Sequence, residues 1–227
     1  PVVWMVSSSG NLLGLTYVPE QQVAAWHHHD TALGVFESVC SVAEGAEDAV
    51  YVIVKRTING ATVRYVERMA SRKSADLAHA FFVDAGATYD GAPVTTLSSG
   101  LSHLEGCKVN ILADGAVHRQ LTVTGGSITL DQAASVIQVG LPITADIQTL
   151  PIALEGVPGL GQGRVKNVNK VWLRVYQSSG VFAGPDLTSL TQAKQRTTES
   201  PGSPPNLVTG EIEIVTRTAW GDGGQVW

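Results

Sequence analysis

The densest concentration of reactive side chains in the sequence is the run Trp26-His27-His28-His29-Asp30. Imidazole and carboxylate are ordinary ligands of zinc and of other transition metals, and a metal held there would supply a bound water for hydrolysis. The spacing limits that reading. Neighbours on a strand point to opposite faces, so His27 and His29 converge while His28 points away, and Asp30 joins them only if a turn intervenes. His27, His29 and Asp30 are therefore the metal candidates, and a metal-dependent hydrolase is the chemistry they would serve. Further ligands would have to come from His79, His103, His118 or a distant carboxylate, and none of these carries a metal-ligand spacing of its own. The plainer expectation is a polar strand end or turn whose imidazoles bond to backbone groups, with no resident metal and no cofactor.

Other nucleophile arrangements exist only on paper. Cys40 or Cys107 can be paired with His103, and a serine, histidine and aspartate set can be drawn from many positions. The contexts that make such sets work are missing: the sequence has no Gly-x-Ser-x-Gly elbow, no His-Glu-x-x-His pair and no phosphate-binding Gly-x-x-x-x-Gly-Lys-Ser loop. Gly159-Leu-Gly-Gln-Gly163 lacks the following helix a phosphate site requires. No catalytic residue is assigned. Cys40, flanked by Val39 and Val42, is expected in the core, and two widely separated thiols read as reduced and structural. Glycosidases need two acids facing each other across a sugar. Glu44, Glu47 and Asp48 instead share a predicted turn and Glu211 and Glu213 one face of a predicted strand, where charges keep a β protein soluble. Trp4, Trp26, Trp172, Trp220 and Trp227 are able to stack on sugars, although each sits in or beside a predicted strand, where tryptophan is more often packed.

Composition narrows the class of partner. Charged residues make up 15% of the 227, against roughly 25% in an average soluble chain, and 24 glycines suit strands joined by tight turns. With 15 Lys and Arg against 20 Asp and Glu, the net charge is −5 and the cations do not cluster, which argues against a polyanion-binding surface. No apolar run reaches the ~18 residues of a membrane helix. Pro1-Val2-Val3-Trp4 shows no initiator Met and no basic signal region, and Gly224-Gln225-Val226-Trp227 stops as an apolar run begins. The expectation is a piece of a longer chain, with a strand cut at its end.

Period-two alternation runs almost throughout residues 1–69. Val2 to Val6 and Leu12 to Val18 flank the turn cluster Ser7-Ser-Ser-Gly-Asn11. Val50 to Arg56 and Thr62 to Met69 flank Asn59-Gly60, whose positive φ angles suit a two-residue hairpin turn. Val23 to Trp26 and Val35 to Val42 read as further strands, ended by the acidic turn Glu44 to Asp48. Residues 70–82 carry the good helix formers and a Ser74 cap, and predict one or two helical turns as a connector. Short strands then follow at intervals of roughly 8 to 12 residues: Val94 to Leu97, Lys108 to Ala113, Ala116 to Val123, Ser127 to Leu130, Ser135 to Val139 and Ile147 to Ile152. Asp114-Gly115 and Gly125-Gly126 sit between such runs. The stretch 155–164 holds four glycines and a proline and marks a boundary or loop. Val165 to Ser178 and Glu211 to Arg217 alternate as half-exposed strands around the long loop 179–210, whose Pro201, Pro204 and Pro205 exclude regular structure and which is the expected place for a partner contact. The predicted class is all-β: an antiparallel meander, in propeller-like or sandwich sheets, over 1–82, an inserted small β-barrel over 83–160, and a return segment over 161–227 that completes the first sheet system.

Four stretches together resemble one family. Leu12-Leu-Gly-Leu-Thr-Tyr-Val-Pro-Glu-Gln-Gln-Val-Ala-Ala-Trp-His-His-His-Asp30 and Gly34-Val-Phe-Glu-Ser-Val39 look like the C-terminal part of the tail nozzle (tail tubular or stabilisation) proteins of short-tailed bacteriophages. Ala49 to Met69 and Val168-Asn-Lys-Val-Trp-Leu-Arg-Val-Tyr176 fit the same resemblance, which departs from the family pattern at His28, a place often held by Arg. The resemblance implies a non-enzymatic virion component: a β-rich subunit that associates with copies of itself into a ring around the DNA exit channel and contacts other tail proteins. It implies transient passage of DNA without specific binding, assembly in the bacterial cytoplasm and residence in the virion tail, without membrane insertion. A glycan- or protein-binding module of a phage tail, directed at a host surface glycan, is the alternative.

Overall fold

Tight turns set the architecture. Asn59 and Gly60 have φ angles of 47° and 75°, and Asp114 and Gly115 of 47° and 80°, the left-handed pair that lets two strands fold back at once. A computed structural model of the chain describes all residues except 72, 153–162, 197, 201, 218 and 219. It is all-β with antiparallel sheets and divides into two compact units, residues 1–143 and 144–227. No helix among the described residues is long and apolar enough to cross a membrane.

In the first unit, β1 (Val2–Val6), β2 (Leu12–Val18) and β3 (Val23–His29) form one antiparallel meander, and β4 (Gly34–Glu44), β5 (Glu47–Ile58) and β6 (Ala61–Arg68) a second. Leu12, Val50, Val52 and Val54 are buried together, with Trp4, Val6 and Phe36 packed against them. The third sheet has the order β7-β10-β8-β9, from β7 (Asp84–Leu97), β8 (Lys108–Ala113), β9 (Ala116–Thr122) and β10 (Ile128–Leu141). Its outer strands β7 and β9 do not pair with each other among the described residues, so an open sheet stands where a closed barrel was expected. Ile58, from β5, belongs to the same buried cluster as Leu97, Val109, Ile137 and Leu141, with Val63 and Tyr65 of β6 packed on it. This shared core ties residues 84–141 to the preceding meander, and the division between units falls after β10.

The second unit is built from short ladders. β12 (Lys170–Ser178) pairs with β15 (Val208–Val215), β11 (Lys166–Asn167) with β16 (Trp220–Gly221), and β13 (Phe182–Ala183) with β14 (Thr191–Gln192). Val171, Leu173, Ile212 and Ile214 face Ala183, Ala193 and Val181 in a small core. The long loop 179–210 therefore contains two paired strands, and its proline-bearing part from 193 to 207 forms no strand among the described residues.

Several local expectations differ from the fold. Residues 70–83 form bends and turns among the described residues, without a helix. Polar side chains there take backbone donors for themselves, the Ser71 hydroxyl accepting from Lys73 N–H and Asp76 Oδ1 from His79 N–H, which competes with helical bonding. Ile147 to Ile152 is not a ladder strand. It contains Pro151, which lacks a donor, and is held by the bonds Thr149 N–H to Val226 O and Ile152 N–H to Gly223 O, both 2.9 Å. The two expected strands at 127–130 and 135–139 are one strand, β10, with register shifts between Thr129 and Ala134 and again before Val136. The acidic turn is narrower than expected, since Glu44 and Glu47 form the last pair of the β4–β5 ladder. Residues 155–162 of the glycine-rich stretch lie outside the described residues.

Candidate functional site

The histidine run extends β3 to its end, and the alternation acts as anticipated. His27 and His29 share one face, with His27 Nδ1 and His29 Nε2 2.8 Å apart and the ring planes at 90°. Trp4 of β1 reaches both rings, at centroid distances of 5.4 and 5.5 Å. The reach depends on Gly14. Trp4 pairs with Gly14 and Gly14 with His27, and a Cβ at position 14 would sit 2.2 Å from His27 Cε1. The bare backbone of β2 therefore lets an aromatic group from each outer strand meet above it. Asp30 lies just past the strand, and no group of three or more His, Cys, Asp or Glu able to hold a metal occurs among the described residues. The other histidines are occupied locally. His79 Nδ1 bonds Asp76 at 2.7 Å, His103 Nε2–H donates to Ala85 O at 2.8 Å, and His118 Nε2 accepts from Asp131 N–H at 3.0 Å.

The most constrained polar group of the first unit is Arg56, whose side chain is fully buried. Its Nε and Nη2 donate to the two Glu67 oxygens at 2.7 Å each, Nη2 also to Asp84 Oδ1 at 2.9 Å, and Nη1 to Ala32 O. Asp84 in turn accepts from the Thr31 hydroxyl at 2.6 Å and from Ala32 N–H at 2.8 Å. Burial disfavours the guanidinium, but Glu67 and Asp84 outweigh it and hold the Arg56 pKa above its ordinary value. A charge kept on by two carboxylates that are themselves bonded acts as a positioning clamp, joining β5, β6, the start of β7 and the turn before β4. Sequence reasoning passed over it. The available signal was phase: Val50, Val52, Val54, Arg56 and Ile58 are all buried on one face of β5, so a charge stood in an apolar register.

The acidic pair at the β4–β5 turn is engaged, not merely solvated. Arg68 bridges Glu44 and Glu47 at 3.1 Å each, and the Tyr51 hydroxyl donates to Glu44 at 2.5 Å. Hydrogen bonds, first from Tyr51 to Glu44 and from Ser71 to Glu47, hold both carboxyls below the ordinary carboxylate range. The thiols separate. Cys107 is buried, which pushes its pKa up, whereas Cys40 is exposed and not in the core. A register shift between Phe36 and Ser38 inserts one residue and flips the phase of β4, so Val39 faces inward and Cys40 outward.

Exposed aromatic groups gather in the second unit. Trp172, Arg174 and Tyr176 alternate on the outer face of β12, opposite Glu213 and Glu211 of β15. Lys170 bonds Glu213 at 2.7 Å and Arg174 bonds Glu211 at 2.6 Å, so this acidic pair is also spent on ion pairs. A separate cleft of about 260 Å3 is lined by Trp220, Trp227, Gln148, Gln225, Asp186 and Lys166. Lys166 Nζ donates to the Arg164 and Asp222 carbonyls at 3.0 Å each, and the Thr188 hydroxyl and amide hold the Asp186 carboxyl below its usual range. The cleft thus offers indole faces, amides and an ionised carboxylate. Among known proteins, no protein-family model matches the chain and no curated protein matches it.

Proposed function

We propose that the chain is a non-enzymatic structural subunit of the short tail of a bacteriophage, part of a ring that lines the DNA exit channel. The observation that carries this reading is the resemblance over Leu12 to Val39, Ala49 to Met69 and Val168 to Tyr176. Two features support it. The buried Arg56 and its partners Glu67 and Asp84 are spent on one another and on backbone, as suits a rigid part. A net charge of −5 disfavours adhesion to a passing polyanion. The same proposal includes residence in the virion tail. Immunogold electron microscopy with antibody to this chain tests it. Label at the tail tip or at the junction of tail and capsid is the expected result, and no label on intact or disrupted particles would overturn it.

A second reading, a glycan-binding module, is favoured by the cleft between Trp220 and Trp227. Sugars are held by stacking on indole faces and by amide and carboxylate hydrogen bonds, and Trp220 is 73% exposed at the rim. On an array of bacterial surface glycans this reading expects binding that Trp220→Ala abolishes, and an array without hits removes it.

A further inference from the structure

The β12–β15 ladder has no third strand on either side among the described residues. An unpaired edge presents a row of free N–H and C=O groups, which proteins usually blunt with bulges, prolines or inward charges. Here the register runs unbroken from Lys170 opposite Val215 to Val175 opposite Gly210, and the irregularity comes only beyond it. The inner face is filled by its own core. The outer face is sorted by strand: both cations, Lys170 and Arg174, stand on β12, and both carboxylates, Glu211 and Glu213, on β15. Each charge is engaged from one side. Arg174 gives Nη2 alone to Glu211, and these side chains stay 82% and 58% exposed.

Sorting of this kind separates the ways in which two copies can meet. Pairing β12 with β12, or β15 with β15, sets like charges opposite one another, which destabilises a ladder. Shifting a copy sideways until its β12 lies along the β15 of the first keeps the antiparallel sense and again sets Lys170 and Arg174 beside Glu211 and Glu213. We infer that the occupant of this edge is a second copy of the chain, joined head to tail with β12 of one copy against β15 of the next. Trp172 and Tyr176, 63% and 75% exposed on the same face, gain cross-strand neighbours in that contact. A heterologous contact repeats from copy to copy and closes as a ring if its rotation permits. The inference rests on the structural-subunit reading only for what the assembled copies enclose.

Charge reversal on the full chain, followed by sedimentation velocity, tests the contact. The wild-type chain is expected to form concentration-dependent oligomers that weaken as salt rises. Lys170→Glu with Arg174→Glu makes both strands acidic, and Glu211→Lys with Glu213→Lys makes both basic. Each variant alone is expected to need about tenfold or more protein to associate, while an equimolar mixture recovers wild-type assembly, because each acidic edge then meets a basic one. Recovery on mixing cannot arise from damage within one copy. Hydrogen exchange on the wild type adds a measurement that needs no variant: amides of 170–175 and 210–215 are expected to gain protection as concentration rises. A wild type that stays monomeric at every concentration, variants that assemble like the wild type, or unchanged wild-type protection overturns the contact. Label on tails combined with unchanged wild-type protection removes the contact and leaves the tail reading. Successful mixing without label does the reverse.

Discussion

Cys40 and Cys107 are both free, yet a register shift in one strand sends the first to solvent while the second is buried with its thiolate disfavoured. Because the thiolate is the reactive form and must be reached, iodoacetamide on the native chain is expected to label Cys40 alone, with Cys107 labelled only in denaturant. Peptide mass spectrometry reads the outcome, and native labelling of Cys107 would mean that the turn around Leu104 opens. Glu44 supplies a second expectation. Its carboxyl is held down first by the Tyr51 hydroxyl and then by Arg68. A folded pKa below the unfolded one stabilises the fold above the ordinary carboxylate range, and that contribution disappears as pH falls through the folded value. Tyr51→Phe is expected to raise the Glu44 pKa toward its ordinary value in a carboxyl-detected NMR titration and to lessen the loss of stability in acid. An unmoved Glu44 would show that Arg68 alone sets it.

At the scale of elements, two contacts hold the first unit's sheets in register. The Arg56 clamp joins three strands and a turn, and removing one partner of a buried ion pair leaves uncompensated charge. Arg56→Ala is therefore expected to cost about 3–5 kcal/mol, read as a drop in the urea midpoint with little change in slope. A loss under about 1 kcal/mol, the range of exposed pairs, would mean that Glu67 and Asp84, 20% and 17% exposed, are hydrated well enough to stand alone. The second contact is steric. A Cβ on Gly140 of β10 would lie 2.7 Å from both Asp84 O and Gly86 Cα of β7, backbone that has no rotamer to yield. Gly140→Ala is expected to cost about 1–3 kcal/mol as overpacking, checked by the same unfolding curves, and a neutral result would mean that the two strands part without loss.

For the whole molecule, charge decides more than shape. With 20 acidic against 15 basic side chains, and Arg56, Arg64, Arg68, Arg119, Lys170 and Arg174 already paired with carboxylates, the net negative charge opposes displacement of counterions from DNA. Gel-shift measurements with duplex DNA at physiological salt are expected to show no retardation at protein concentrations of about 10⁻⁶ M, where basic proteins already bind non-specifically. Such indifference suits a channel that DNA crosses without arrest. Retardation would require a clustered basic face and would count against the exit-channel reading.

The alternation in 1–69 and 165–178 and the dipeptides Asn59-Gly60 and Asp114-Gly115 were enough to establish an all-β antiparallel chain, because pleat and turn sterics act within a few residues. They also put His27 and His29 on one face. Tertiary structure decided everything that needed a partner distant in sequence. Trp4 meets those histidines only because Gly14 lies between them in the sheet. Arg56 was legible as a charge in an apolar phase, but its partner Asp84 lies 28 residues away and arrives with another sheet. Cys40 and the helix expected at 70–82, absent among the described residues, went the other way, since one inserted residue inverts a strand's faces and local polar side chains outbid a short helix for the backbone. Periodicity fixes which residues share a face; which face is buried, and against what, is set by the long-range packing that local patterns do not encode.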